Sequence, residues 1–341
     1  MKLRVLLEPR YGATYEQILA MARTAEEAGF DAFFRSDHYM GIDATDASYA
    51  PTDSWITLAG LAVQTQRIRL GTLVTASTYR YPGPLAVAVA TVHAMSGGRA
   101  ELGIGAAWYE REHRSFGIPF PPGGERFDRL EEQLSIITGL WSTPAGESFS
   151  FHGKHYQIED CVNFPALGPP PGADAAPGTG TPGPASRRPR LIVGGAGPKR
   201  SPTLAARFAD EFNCGLPGGA AERLANFRRI CARLGRDPAA VRLSAALPVC
   251  CGATAAEAAR RARVLGDAGA RLLSQGVTGT PDDVLHRVRE LAAAGVDTLY
   301  FHIYDAADTA HVRFLGSAVL PEASRISASG TAPAVTPSPA G

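Results

Sequence analysis

The chain has 341 residues, 45% of them hydrophobic and 20% charged, enough apolar material for a full globular core larger than an ordinary two-layer domain. Its 34 Lys and Arg balance 33 Asp and Glu to a formal charge of +1, which excludes a field suited to nucleic acid or to an anionic membrane surface. The first apolar run is too short for a signal peptide, and no uninterrupted run of about 18 apolar residues suggests a membrane span, so a cytoplasmic protein is expected. The 5 cysteines form no CxxC pair and read as buried thiols rather than a disulfide framework or a zinc site.

Short apolar runs alternate with longer amphipathic stretches from end to end, the pattern of parallel strands joined by helices. A strand over 3–7 precedes a helix over 15–28, where Ile18, Leu19, Ala22 and Ala25 recur at helical spacing until Gly29 stops it. Further strands are predicted over 31–35, 68–75 and 100–104, with helices over 54–64, 85–95 and 125–141. Residues 149–158 read as a hairpin turning at Gly153, inserted between barrel units. Residues 165–189 are too rich in Pro, Gly, Ala and Ser to bury anything and are expected as a disordered insertion. The alternation then resumes with strands over 190–193, 211–214, 241–249 and 298–303 and helices over 203–209, 221–234, 255–268, 281–294 and 307–316. Eight βα units close a barrel, so the expected fold is an α/β (β/α)8 TIM barrel with insertions, one domain over 1–321 with a disordered tail over 322–341.

In such a barrel the loops after the strands share one face, and the unusual residues fall there. His38, after Ser36 and Asp37 at the end of the second strand, can exchange a proton near neutral pH; a structural histidine beside a capping aspartate is the competing reading. Neighbours in an extended chain point to opposite sides, so Asp37 need not touch His38. Gly194, Gly195 and Gly197 can expose backbone N–H groups beside Lys199 and Arg200, with Ser201 as N-cap and Pro202 opening a helix. That is a candidate phosphate cradle, against the plainer reading of a tight turn needing glycine for packing. Gly103 and Gly105 lack the third glycine and acidic partner of a dinucleotide fingerprint; they suit a planar ring lying near the backbone, with Trp108 or Tyr109 close by. The charge run over 110–114 reads as an exposed helical face, His152 and His155 lack a third ligand at metal spacing, and no GxSxG, HExxH or P-loop pattern occurs.

Ser36-Asp37-His38, the segment 70–108, ERFDRLEEQL from Glu125, RLIVGGAGPKR and GTPDDVLHRVRELAAAGVDTLYFHI together resemble the luciferase-like monooxygenase superfamily, particularly its coenzyme F420-dependent branch. The resemblance covers nearly the whole chain apart from the 165–189 loop and the tail. It implies a luciferase-like barrel in which a flavin or deazaflavin ring rests on a bulge after strand three, at a cis peptide bond joining Leu73 and Val74. It further implies that Asp37, His38, Thr75, Gly103, Gly105 and Ala106 surround the ring, while Gly194, Gly195, Gly197, Lys199 and Arg200 make the phosphate end. The implied activity is hydride transfer between F420 and a small organic substrate, with His38 supplying or accepting a proton. An FMN-dependent monooxygenase is the enzyme alternative, and a non-catalytic flavin-binding protein the alternative of another class. A small-molecule substrate and a second copy in a homodimer are the expected partners.

Overall fold

The computed structural model describes residues 1–9, 12–41, 51–144, 146–162, 188–266, 270 and 273–327. Its strands are β1 (Lys2–Leu7), β2 (Ala32–Arg35), β3 (Arg69–Thr72), β4 (Thr75–Ala76), β5 (Ala100–Gly105), β6 (Ser148–His152), β7 (Gln157–Val162), β8 (Arg190–Gly194), β9 (Glu211–Asn213), β10 (Arg242–Cys251), β11 (Val277–Gly279) and β12 (Thr298–Ile303). The helices are α1 (Tyr15–Glu27), α2 (Ser54–Gln64), α3 (Pro82–Met95), α4 (Glu110–Ser115), α5 (Gly123–Ser142), α6 (Arg200–Phe208), α7 (Ala220–Leu234), α8 (Ala255–Val264), α9 (Pro281–Ala293), α10 (Thr309–Ala318) and α11 (Leu320–Ala323).

Strands β1, β2, β3, β5, β8, β9, β10 and β12 pair in parallel in that order, and β12 returns to β1, which closes an eight-stranded barrel. This is the expected (β/α)8 TIM barrel. The predicted third strand is split: β3 ends at Thr72, the Leu73–Val74 peptide bond is cis, and β4 resumes against Ile104 and Gly105. β11 extends the sheet beyond β10 and was not expected from the sequence.

Alternation along the strands sorts side chains between the barrel interior and the helical shell. On β1, Leu3, Val5 and Leu7 join the cluster under the helices, while Leu6 packs inside with Phe34, Ile192, Ala246 and Tyr300. Helix α1 shows how the shell is set. Thr14 and Gln17 form a capping box at its start, Ile18, Met21, Ala22 and Ala25 face the sheet, and Gly29 at φ 85° lets the chain leave. The β6–β7 hairpin is held to α5 by Glu132, which accepts the backbone N–H groups of Lys154, His155 and Tyr156 at 2.8–3.0 Å.

Of the 165–189 insertion, residues 165–187 lie outside the described residues, as do 328–341 of the tail. Residues 322–327 are placed: Ala323 is buried, and the Met1 amine donates to the Ile326 carbonyl. Among the described residues no helix is long and apolar enough to cross a membrane, the five cysteines are free, and no His, Cys, Asp and Glu group could hold a metal ion.

One buried histidine makes stability depend on pH. His311 on α10 accepts the Cys251 N–H through Nε2 at 2.9 Å. Burial, with Arg261 nearby, pushes its pKa down to about 4 against the opposing pull of Asp308 and Glu257. The folded state therefore keeps His311 neutral where an unfolded chain would protonate it. Its contribution is complete above about pH 6.5 and is lost as pH falls toward 4, a change of about 3 kcal/mol. Denaturant melts from pH 7 to pH 4 should show His311→Gln losing less stability than the parent; parallel curves would refute this.

Candidate active site

A cavity of about 610 Å³ opens where the barrel strands end. Its walls come from the residues after β1 and β2, the β3–β4 break, the residues after β5, and the glycine run after β8. Val74, carried by the break, projects between two of those walls. A Cβ on Gly194 would lie 2.8 Å from Val74 Cγ1, and one on Gly105 would lie 3.0 Å from Val74 Cγ2. A side chain at Gly194 would displace Val74, and one at Gly105 would crowd it, so glycine at both leaves a flat surface beside it. Gly103 answers a different demand, because its Cβ would meet the Thr72 carbonyl oxygen at 2.1 Å. It serves strand packing and does not line the cavity.

Asp37 and His38 part company as the alternation of an extended chain requires. Asp37 turns to the wall: Arg80 Nη1 donates to its Oδ2 at 2.6 Å and Thr75 Oγ1 at 2.8 Å. Trp55 Nε1 in turn donates to Thr75 Oγ1 at 3.2 Å, so Thr75 braces Asp37 from behind the cavity lining. Arg80 also bridges to Asp53, the N-cap of α2, at 2.5 Å. Burial works against the Arg80 charge, but Asp37 and Asp53 outweigh it and raise its pKa further.

His38 lines the cavity, and its Nδ1 lies 3.0 Å from Glu112 Oε2. Glu112 is 0% exposed and also accepts the N–H groups of Tyr39 and Met40 and the Tyr79 hydroxyl. Burial alone would raise its pKa; the donations from His38, Tyr79 and the backbone prevail and hold it below the usual carboxylate range. An ionised Glu112 requires a donor on His38 Nδ1, and Nε2 has no protein partner among the described residues. The 110–114 run is therefore not a uniformly exposed face, since Glu112 and His113 are both buried. The reason is local: the turn after β2 has backbone donors to satisfy, and α4 lies across it.

The cavity floor holds a second polar set. The Ser36 hydroxyl donates to Glu8, His302 Nε2 lies 3.2 Å from Glu8 Oε2, and the Tyr304 hydroxyl lies 3.0 Å from His302 Nδ1. At the mouth, Ala107 adopts a left-handed φ of 64° and Trp108 stacks on Tyr109 with ring centroids 5.1 Å apart.

At the glycine end, Gly194, Gly195 and Gly197 line the cavity with Ala196 and Ser201. A Cβ on Gly195 would lie 2.3 Å from Ser201 Oγ, whereas one on Gly197 would meet nothing within 4 Å. Helix α6 starts one residue before the expected cap: Arg200 is helical, Lys199 takes the cap position without a side-chain bond, and Ser201 is buried inside the first turn. Lys199 is exposed and Arg200 Nη2 is paired with Asp128 at 2.7 Å, so neither lines the cavity.

Of the sequence candidates, Asp37, His38, Leu73, Val74, Gly105, Ala106, Gly194, Gly195 and Gly197 meet in one cavity, while Thr75, Gly103, Lys199 and Arg200 stand outside its lining. Glu8, Arg80, Glu112 and His302 were missed. His302 interrupts an apolar strand and Glu8 follows one directly, a signal that was legible; Arg80 and Glu112 sit in polar loop and helix sequence and carried none.

An F420-dependent glucose-6-phosphate dehydrogenase of Beutenbergia cavernae is 36% identical over 165 residues, covering 47% of each chain. An F420-dependent hydroxymycolic acid dehydrogenase of Mycobacterium tuberculosis is 32% identical over 228 residues, 65% of this chain and 56% of the relative. The chain thus spans about half the length of the curated relatives it matches. Among solved structures, a monooxygenase from Streptomyces bottropensis superposes with a TM-score of 0.74 at 20% identity, covering 94% of this chain and 99% of the other. An F420-dependent secondary alcohol dehydrogenase, in complex with an F420-acetone adduct, gives 0.73 at 16% identity over 94% and 98%. The model of the family described as luciferase-like monooxygenase matches residues 2–276, a span that takes in His38, Val74, Glu112 and the glycine run, and the chain belongs to that family.

Proposed function

We propose that the protein is an F420-dependent oxidoreductase acting on a small organic substrate. One observation carries the reading: His38, with Nδ1 committed to a buried carboxylate, faces the same cavity as the Val74 wedge and the glycine walls beside it. Those walls fit a flat ring, because a Cβ at Gly105 or Gly194 would collide with Val74 and fill the space. The open position at Gly197 and the start of α6 beside Lys199 fit a phosphate-bearing tail, held by backbone N–H groups more than by Arg200, whose charge Asp128 already meets. Deazaflavin is preferred over FMN because curated relatives this chain matches, at 32–38% identity, are named for F420 dependence.

When bound, the deazaflavin would exchange a hydride with a substrate carbon, and the matching proton would join or leave the substrate oxygen. On this reading His38 handles that proton through Nε2, because Nδ1 is engaged by Glu112. Glu112 keeps the imidazole in the tautomer with hydrogen on Nδ1 and stabilises it when both nitrogens are protonated. Tyr79, Tyr39 and Met40 donate to the same carboxylate and stop it from turning away. Asp37, fixed by Arg80 and Thr75, holds the turn on which His38 stands.

The protein is further read as a cytoplasmic homodimer. Ile56 and Val63 on α2 and Val87 and Met95 on the adjoining α3 are exposed apolar side chains that a second copy would cover.

Titrating the protein with F420 and with FMN, followed by cofactor absorbance and fluorescence, tests the cofactor; tight FMN binding without response to F420 would overturn the choice. His38→Ala should lower kcat by about 100-fold and Glu112→Gln by about 10-fold, both still binding cofactor. Unchanged turnover in His38→Ala would remove it from the chemistry.

A further inference from the structure

We propose that the substrate part of this cavity takes an uncharged alcohol or carbonyl compound with an apolar body, and that Trp108 is the residue that selects it. The proposal rests on the oxidoreductase reading above and adds to it the class of substrate.

Trp108 is 58% exposed, yet it lines the cavity rather than the outer surface. It is also fixed. The ring stacks on Tyr109 at an interplanar angle of 19°, and the Tyr109 hydroxyl donates to the Gly41 carbonyl at 3.0 Å. Its neighbour Ala107 holds a left-handed φ of 64°, a conformation that an L-residue keeps only where its surroundings impose it. The indole meets the His38 ring edge-on, with centroids 5.7 Å apart. A substrate whose oxygen reaches His38 Nε2 therefore has its carbon body beside an uncovered indole. Covering that apolar face favours binding, and Phe127, Leu73 and Leu216 extend the apolar lining.

Charge points the same way. The acidic residues of the lining are Glu8 and Asp37, and among the described residues no Lys or Arg lines the cavity. Arg80 is committed to Asp37 and Asp53, and Lys199 and Arg200 stand at the opening of α6. A sugar phosphate would bring its dianion into a cavity whose described lining carries carboxylates and neither Lys nor Arg, which desolvation makes costly. Relatives named as glucose-6-phosphate dehydrogenases match part of this chain. This cavity is not built for that substrate.

The 3 tryptophans make the test direct, because Trp55 and Trp141 are buried and the accessible emission belongs to Trp108. In the F420-loaded protein, cyclohexanol should protect tryptophan fluorescence from acrylamide quenching and glucose 6-phosphate should not. Protection by glucose 6-phosphate, or none by cyclohexanol, overturns the proposal. Trp108→Ala should raise KM for cyclohexanol about tenfold, far more than it lowers kcat, with Trp108→Phe restoring most of the affinity. An unchanged KM in Trp108→Ala overturns the assignment of Trp108. Cofactor binding is read separately from cofactor absorbance. A protein that binds neither F420 nor FMN overturns the oxidoreductase reading; one that binds F420 while Trp108 ignores cyclohexanol overturns the substrate class alone.

Discussion

Closing eight parallel strands leaves the inward-facing side chains no neighbours but one another, and that constraint arranges the rest of the molecule. At the base of the barrel, Arg4 Nη1 donates to Glu101 and to the Tyr300 hydroxyl at 2.8 Å, and Tyr300 donates to Glu211 at 2.6 Å. Burial opposes the Arg4 charge, but Glu101, Tyr300, Glu211 and Asp31 together hold its pKa well above the ordinary value. Removing one member would strand the others, so the set specifies how the strands meet more than it adds stability. The next tier, with Leu6, Phe34, Ile192 and Ala246, is apolar. It separates the ionic base from Glu8, Ser36 and His302 above it, and its Leu6 and Ala246 line the cavity together with that polar set.

On the rim, position is fixed by shared anchors rather than by strand geometry alone. Tyr39 belongs to both polar networks: its backbone N–H donates to Glu112, and its hydroxyl donates to Asp53 at 3.1 Å and accepts from Arg80 at 2.9 Å. The turn carrying His38 is thereby tied to α4 on one side and to the cap of α2 on the other. Since Arg80 also holds Asp37, the residues after β4 share the same fastening. A shift of any one of these loops would move His38 relative to Val74, which gives the buried carboxylates a positioning role at some distance from any reacting atom.

The barrel was legible because its signal is periodic: β1, α2, β12 and the hairpin fall where apolar spacing and turn residues place them. The strand-end residues were legible because a (β/α)8 fold directs every strand end to one face. What escaped depended on partners distant in sequence. Glu112 looks like one more charge in a solvated run until the backbone of Tyr39 and Met40, more than seventy residues earlier, is seen to need an acceptor. Arg200 gives no sign in sequence of its pairing with Asp128 on another helix. Gly103 and Gly105 look alike in sequence, and only the neighbouring strand separates a packing glycine from one that faces the cavity.

The same strand ends also divide the cavity chemically. After β8, Gly194, Gly195 and Gly197 line the cavity, and the exposed Lys199 stands beyond them at the start of α6. After β5, the chain passes from Gly105 through a left-handed Ala107 to Trp108, so three residues carry it from a bare wall beside Val74 to an aromatic one beside His38. On the proposed reading, an anionic tail and a flat ring take the first end and the middle, and a neutral carbon body the last. The polar groups at that end are turned toward Glu112, Glu8 and each other, while among the described residues His38 Nε2 has no protein partner. On the same proposed reading, recognition and proton transfer converge on one imidazole, whose orientation Glu112 fixes from beneath the surface.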